Sequence, residues 1–253
     1  FVLPYTFKPV EKYDFEFYIG TNHYPTLTEQ KISLEKIISL GFFGWVSKLA
    51  LIPLFNLLAD FIANFGLVIL CLTLIIKLCL FPLVYKSYVS SAKMRVLKPE
   101  IDEIKAKYGT DMTRMQQENM KLYKRAGVNP MGGCIPMLLQ LPILLAMFNF
   151  FPASYELRQK AFLWASDLSS YDSIVDLGFH IPGYGSHISL FTLLMTVSTL
   201  LYTRMNNQLT GVSGQMKWIS YLMPILFLGF FNNYASGLTY YYFLGNMITF
   251  GQN

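Results

Sequence analysis

Apolar residues fall along this chain in long blocks, and the polar residues gather between them. The cleanest block, Gly66 to Tyr85, contains one charge, Lys77, and its twenty residues make about 30 Å of helix, the thickness of a bilayer's hydrocarbon core. Four weaker blocks follow, at approximately Cys134 to Ser154, Ile188 to Thr203, Trp218 to Phe231 and Leu238 to Phe250. At 1.5 Å per residue the last three supply only about 24, 21 and 20 Å, so the pattern predicts short spans in a locally thinned bilayer.

Upstream, the polar positions have periods of their own. From Ile38 to Asn64 the segment is apolar except at Lys48, Asn56, Asp60 and Asn64, which recur at multiples of four and form one stripe on a helix interrupted at Pro53. Such a helix lies on the membrane surface, and a further full span is the other reading. Tyr13, Phe15, Phe17 and Ile19 alternate with Asp14, Glu16 and Tyr18. That is the period of a half-buried strand and predicts the end of a soluble β domain.

Charge sets the orientation. Between Lys86 and Met131 lie Lys86, Lys93, Arg95, Lys98, Lys105, Lys107, Arg114, Lys121, Lys124 and Arg125, half of the 20 Lys and Arg. Tyr155 to His187 holds only Arg158 and Lys160 against Glu156, Asp167, Asp172 and Asp176. The basic segment is therefore expected in the cytoplasm. Five spans then put the N-terminal segment outside and the C-terminus inside, with Asn206 to Lys217 as a second cytoplasmic loop and the stripe of Ile38 to Asn64 facing outward.

Within the basic segment Met94, Leu97, Ile101, Ile104 and Tyr108 step by three and four, Gly109 can stop a helix, and Thr110 or Asp111 can cap another. Met112, Met115, Leu122 and Ala126 repeat the spacing before Gly127, which predicts an antiparallel helical hairpin. Pro99 either kinks its first helix or begins the regular part. The hairpin has two readings: its seam packs only on itself, or its basic face and methionines also meet anionic headgroups, RNA or apolar nascent segments.

Composition agrees with a membrane solvent. Of 253 residues 53% are hydrophobic and 14% charged, where a soluble domain carries about 25% charged. The chain opens on Phe1 and stops at Asn253 inside an apolar stretch, so it reads as a fragment. Cys71, Cys79 and Cys134 lack C-x-x-C spacing, and His23, His180 and His187 all lie outside the apolar blocks. Neither a metal site nor a catalytic constellation is expected, nor a bound cofactor.

Lys77 carries the most chemistry. It lies about 16 Å into the first span, too deep to snorkel easily, and a central Lys costs about 2.5–3.5 kcal/mol on insertion scales. The other four blocks offer no Asp or Glu to pair with it, only neutral groups such as Thr73 on its own helix, Gln140, Asn149, Ser198, Tyr242 and Asn246. Two readings remain. In one, a hydrated and positively charged cavity inside the membrane solvates the ammonium. In the other, carbonyls of a plain packed bundle do so.

The chain resembles the YidC insertase family, whose relatives serve mitochondria and chloroplasts. The likeness runs from Gly44 to Gln252 and is carried by TLIIKLCLFPL (Thr73 to Leu83), SSAKMRVLKPEI (Ser90 to Ile101), VNPMGGCIPMLLQLPI (Val128 to Ile143), ELRQ (Glu156 to Gln159) and SGLTYYYFLGN (Ser236 to Asn246). The resemblance implies an all-α polytopic fold: a five-span helical bundle with a cytoplasmic helical hairpin, a surface amphipathic helix and the remnant of an exported β domain. On this reading residues 1–30 are the C-terminal edge of that β domain, 31–65 the linker and interfacial helix, and 66–253 the five-span core, with the hairpin at 87–127.

It also implies a non-enzymatic insertase of the bacterial inner membrane, acting alone or with the Sec translocon and its accessory subunits on nascent membrane proteins within the lipid bilayer. By matching positions, Thr73, Lys77, Gln140, Ser198, Tyr242 and Asn246 would line a groove open to cytoplasm and lipid. Leu141, Leu144 and Met195 would form an apolar slide. Lys93, Arg95, Lys98, Lys105, Lys107, Arg114, Lys121, Lys124 and Arg125 would present the hairpin to ribosomes or targeting factors. A transporter or channel, and a membrane-bound enzyme or scaffold, are the alternatives; the first would favour repeated halves and the second a reactive dyad or metal cluster, and the sequence displays neither.

The family's usual groove residue is Arg, and Lys77 stands at the matching place, exchanging a fork of donors for a compact ammonium. If charge alone suffices, Lys77→Gln abolishes growth support for groove-dependent substrates and Lys77→Arg restores it; full complementation by the Gln variant would refute the role of charge.

Overall fold

The computed structural model describes residues 17–109, 111–128, 135–210 and 214–252. A short helix α1 (Tyr24–Glu29) and a 3-10 turn (Leu34–Ile37) lead into α2 (Gly44–Val46), a π turn (Ser47–Leu51) and α3 (Ile52–Phe61). Then come α4 (Phe65–Val96), α5 (Lys98–Tyr108), α6 (Met112–Arg125), α7 (Ile135–Ala153), the antiparallel strands β1 (Val175–Ile181) and β2 (Gly185–Ile188), and α8 (Leu190–Thr210), α9 (Gly214–Asn232) and α10 (Ser236–Gln252). Judged by length and composition alone, Gly44–Phe61 and Phe65–Tyr85 are long and apolar enough to cross a membrane.

Several expectations are corrected. Helix α8 has 21 residues, α9 has 19 and α10 has 17, which give about 32, 29 and 26 Å. The apolar blocks underestimate them because backbone hydrogen bonding continues through polar residues such as Arg204, Asn206 and Lys217, where hydropathy stops. The length argument for a thinned bilayer is correspondingly weakened.

Pro53 does not interrupt its helix. The π turn precedes it and Pro53 enters the first turn of α3, where its missing N–H and fixed φ are tolerated. Asn64 leaves the polar stripe altogether, for its Oδ1 accepts the backbone N–H groups of Gly66 (3.0 Å) and Leu67 (3.4 Å) and caps the start of α4.

Helix α4 continues past Tyr85 to Val96, so the helical pair begins at Lys98 rather than residue 87, with Pro99 in the first turn. Asp111 caps α6 by accepting the Arg114 N–H at 3.0 Å; Thr110, the other cap candidate, lies outside the described residues. Helices α5 and α6 pack together, and Ile101 and Met115 are buried with Met94 of α4.

At the N-terminus, Tyr13 to Glu16 lie outside the described residues, Phe17 to Ile19 form no strand, and the segment assigned to a β edge contains helix α1 instead.

Burial is lopsided along the bundle. Val68, Ile69, Leu72 and Ile76 of α4, Ala146, Met147, Phe150 and Phe151 of α7, Phe191 and Met195 of α8, and Leu238, Tyr240 and Tyr241 of α10 form one core, onto which Phe55 of α3 is fully buried. These positions lie toward the start of α4, the end of α7, and the starts of α8 and α10. Helices α8 and α10 make the most extensive contact, while α9 rests on α8 and β2.

A polar latch closes the same end. Asp172, 2% exposed, accepts the Leu190 and Phe191 N–H groups at the start of α8 (2.9 and 3.1 Å), the Trp164 indole N–H (2.8 Å) and the Ser189 hydroxyl. Four donors and the helix dipole together offset the cost of burying its charge. Asn232, at the end of α9, accepts the Ser189 N–H and donates to the carbonyls of Tyr184 and His187, and its own carbonyl accepts the His187 imidazole N–H at 2.8 Å. Replacing Asp172 with Ala strands these donors and is expected to cost at least about 2 kcal/mol, read as a lowered Tm in detergent micelles, while Asp172→Asn loses less.

Candidate functional site

On α4 the deeply buried stretch ends at Ile76. Lys77 is one residue past buried Ile76 on α4 and is itself half-buried. Its Nζ donates to Thr249 Oγ1 of α10 at 3.1 Å and, more weakly, to Gln140 Oε1 of α7 at 3.5 Å. The Gln140 amide in turn donates to the Tyr241 hydroxyl at 2.9 Å. Three helices thus meet at one ammonium through neutral oxygen acceptors.

Backbone spacing makes this approach possible. Gly245 presents no side chain toward α4, and a Cβ placed there would lie 3.5 Å from Lys77 Cε and 3.9 Å from its Nζ. The Lys77 stem therefore lies across the face of α10 and reaches Thr249, one turn further on. Thr249 Oγ1 also donates to the Gly245 carbonyl at 2.7 Å, which leaves its lone pairs available to Lys77.

The remaining predicted groove residues divide. Asn246 donates to Ser198 Oγ and Thr199 Oγ1 of α8, both at 2.9 Å, forming a second polar junction one residue along α10 from Gly245. Thr73, fully buried, turns its hydroxyl back to the Ile69 carbonyl of its own helix at 2.6 Å. Tyr242 packs its ring near Phe231, with centroids 5.8 Å apart. Asn149 is bonded to the Leu145 carbonyl and packs against Gly41.

Of the slide residues, Leu141 is 38% exposed, Leu144 is half-buried, and Met195 is buried in the core. Lys93, Lys98, Lys105, Lys107, Arg114, Lys121, Lys124 and Arg125 are exposed. Lys121 pairs with Glu118 at 2.7 Å and holds that carboxyl below its ordinary range. The Arg95 side chain and Cys134 lie outside what the structure describes.

Sequence reasoning missed Thr249, Thr199 and Tyr241. Thr249 stands four residues after Gly245 and eight after Tyr241, so these three share one face of α10; a search for small and hydroxylated residues at that spacing finds them. It also missed the β1–β2 hairpin, whose Pro182-Gly183 turn after the alternating Val175, Leu177, Phe179 and Ile181 was a readable signal.

The fold and this site define a helical membrane protein whose core is concentrated toward one end of the bundle, with a lone ammonium at its margin. The sequence profile of the 60Kd inner membrane protein family matches residues 57–253, and the chain belongs to that family. It is 53% identical over 247 residues to the membrane protein insertase YidC of Amoebophilus asiaticus, covering 97% of this chain and 41% of that protein. The YidC of Parabacteroides distasonis is 49% identical over 270 residues, covering 99% and 43%. The chain therefore spans about two fifths of the length of these relatives. A crystal structure described as an active YidC insertase with its first transmembrane domain resolved superposes with a TM-score of 0.62 at 29% identity, over 90% of this chain and 49% of that one.

The Gly245 contact gives a graded test. Gly245→Ala meets Lys77 at ordinary van der Waals distance and is expected to retain insertion of a small single-span substrate in proteoliposomes. Gly245→Val drives the ammonium off Thr249 and is expected to lower that insertion severalfold, and equal rates for the two variants would contradict the assigned role of this contact.

Proposed function

We propose that this chain is the five-span core of a membrane protein insertase, and that Lys77 is the charge that draws polar segments of a substrate into a hydrated groove. The single observation that carries this reading is the ammonium itself. It sits on a helix of Leu, Ile and Val, half-buried, and among the described residues it is held by neutral oxygens from α7 and α10, at the level where the packed core gives out. An ammonium in that setting is solvated well only if water reaches it.

On this reading α4, α7, α8, α9 and α10 span the inner membrane, the N-terminal segment and the β1–β2 hairpin lie outside, and α5–α6 form the cytoplasmic hairpin. A short polar or acidic segment of a nascent chain enters beside Lys77, while its apolar helix follows Leu141 and Leu144, backed by Met195, into lipid. Gln140, Ser198 and Asn246 keep the groove polar, with Thr73 and Tyr242 at its closed end. No bond is made or broken in the substrate, so the role is that of a chaperone rather than an enzyme. The exposed basic face of α5–α6 serves as the docking surface for ribosomes, targeting factors or the Sec translocon. Residues before α1 form the edge of an exported accessory domain.

Purified protein in liposomes, supplied with a small single-span substrate and an entrapped dye, tests the reading. The expected outcome is substrate insertion without dye release, lost in Lys77→Gln and kept in Lys77→Arg. Dye release without insertion identifies a channel and overturns the insertase.

A further inference from the structure

The hairpin of β1 and β2 takes no part in the groove, yet it is held to the bundle in a specific way. Its turn folds down along α9: the Gly183 carbonyl lies so close to Gly229 that a Cβ there would be 2.5 Å from it. Asn232 and Asn233 both donate side-chain amides to the Tyr184 carbonyl, at 3.0 and 2.7 Å. Gly229 precedes the last residue of α9 by three positions, about 4.5 Å of helix. The turn is thus tied below the end of α9, toward the middle of the bundle.

The strands also carry an outward arch. Asp176 faces His187 and Ile181 faces Gly185, so Leu177 to His180 stand opposite Ser186 alone, and the surplus chain bulges through Gly178 at φ +70°. On this arch Phe179 is 62% exposed, and Ile181 at its end is exposed too. From Leu177 to Tyr184 there is no Asp, Glu, Lys or Arg. Beside it, α9 exposes Ile225, Leu226, Phe227 and Phe230 along the helix that Gly183 touches. Exposed apolar residues thus occur both on α9 and on the hairpin tied to it through Gly183 and Gly229.

We propose that the tip of this hairpin, Phe179 to Tyr184, is an interfacial anchor seated in the outer leaflet beside α9. The proposal rests on the reading of α9 as a membrane span. The interfacial layer adds roughly 5–8 Å to each side of the hydrocarbon core, and a tip held about 4.5 Å below the helix end falls within it. Phe179 and Tyr184 are ring-bearing residues of the kind that prefer that layer, and the absence of a formal charge removes the main cost of entering it. The latch of Asn232, His187 and Ser189 then makes hairpin and α9 a single body, so the leaflet next to this otherwise lightly packed helix is held by protein at its outer edge.

The test uses the full-length protein with its native cysteines replaced by alanine and an environment-sensitive fluorophore attached at Phe179→Cys or at Leu226→Cys. Each is reconstituted in phosphatidylcholine–phosphatidylglycerol vesicles whose acyl chains carry a spin label at a shallow or a deep position. The label at position 179 is expected to be quenched at least about twofold more by the shallow label than in vesicles without spin label, and the label at 226 by the deep one. Quenching at 226 with none at 179 overturns the anchor alone. No quenching at 226 overturns the span, and the anchor with it.

Discussion

An ammonium group carried on a helix of Leu, Ile and Val has few ways of being solvated, and the architecture of this protein can be followed from the way it is done. Lys77 has no carboxylate within reach among its described partners; it has the hydroxyl of Thr249 and, at longer range, the amide oxygen of Gln140. Those groups come from two other helices. Both approach α4 closely, and the Lys77 stem lies over Gly245, where there is room for a Cβ at ordinary contact but not for a larger side chain. Neutral acceptors compensate a charge only in part, which leaves it attractive to whatever polar group enters next.

The rest of the bundle is packed most tightly on one side of that charge. Aromatic and branched residues, Phe55, Phe150, Phe151, Phe191 and Tyr241 among them, fill the space between helices on one side of Lys77. At that same end the Asp172 and Asn232 networks knot the starts of α8 and β2 to the end of α9. A carboxylate is affordable there because four donors converge on it. A bundle fastened so firmly at one end can leave its helices less packed at the other without losing its fold. Core packing and the lone ammonium are thus separated along the bundle axis.

The chain belongs to the 60Kd inner membrane protein family and is about half identical to relatives named as membrane protein insertases. Lys fits the local geometry at position 77: a compact ammonium on a flexible stem lies along Gly245 and reaches a single hydroxyl, whereas the planar fork of an Arg asks for paired acceptors. The two acceptors present here are on different helices.

Much was legible from the amino-acid order alone. Long apolar blocks, the clustering of basic residues between Lys86 and Met131, and the solitary charge at Lys77 are properties of composition along a line, and they point to a multi-helix membrane protein with a marked residue. Helix ends were less legible, because hydropathy falls off where backbone hydrogen bonding does not; α4 runs on through Lys93, and α8 through Arg204. What only tertiary structure decided is which polar residues meet. Thr73 shares a helix face with Lys77 yet bonds its own backbone, while Thr249, 172 positions away, supplies the nearest acceptor. Asp172 looked like one more loop carboxylate and is a buried helix cap. Partnership of that kind depends on how helices are rotated and spaced against one another, and no periodicity within a single helix encodes it.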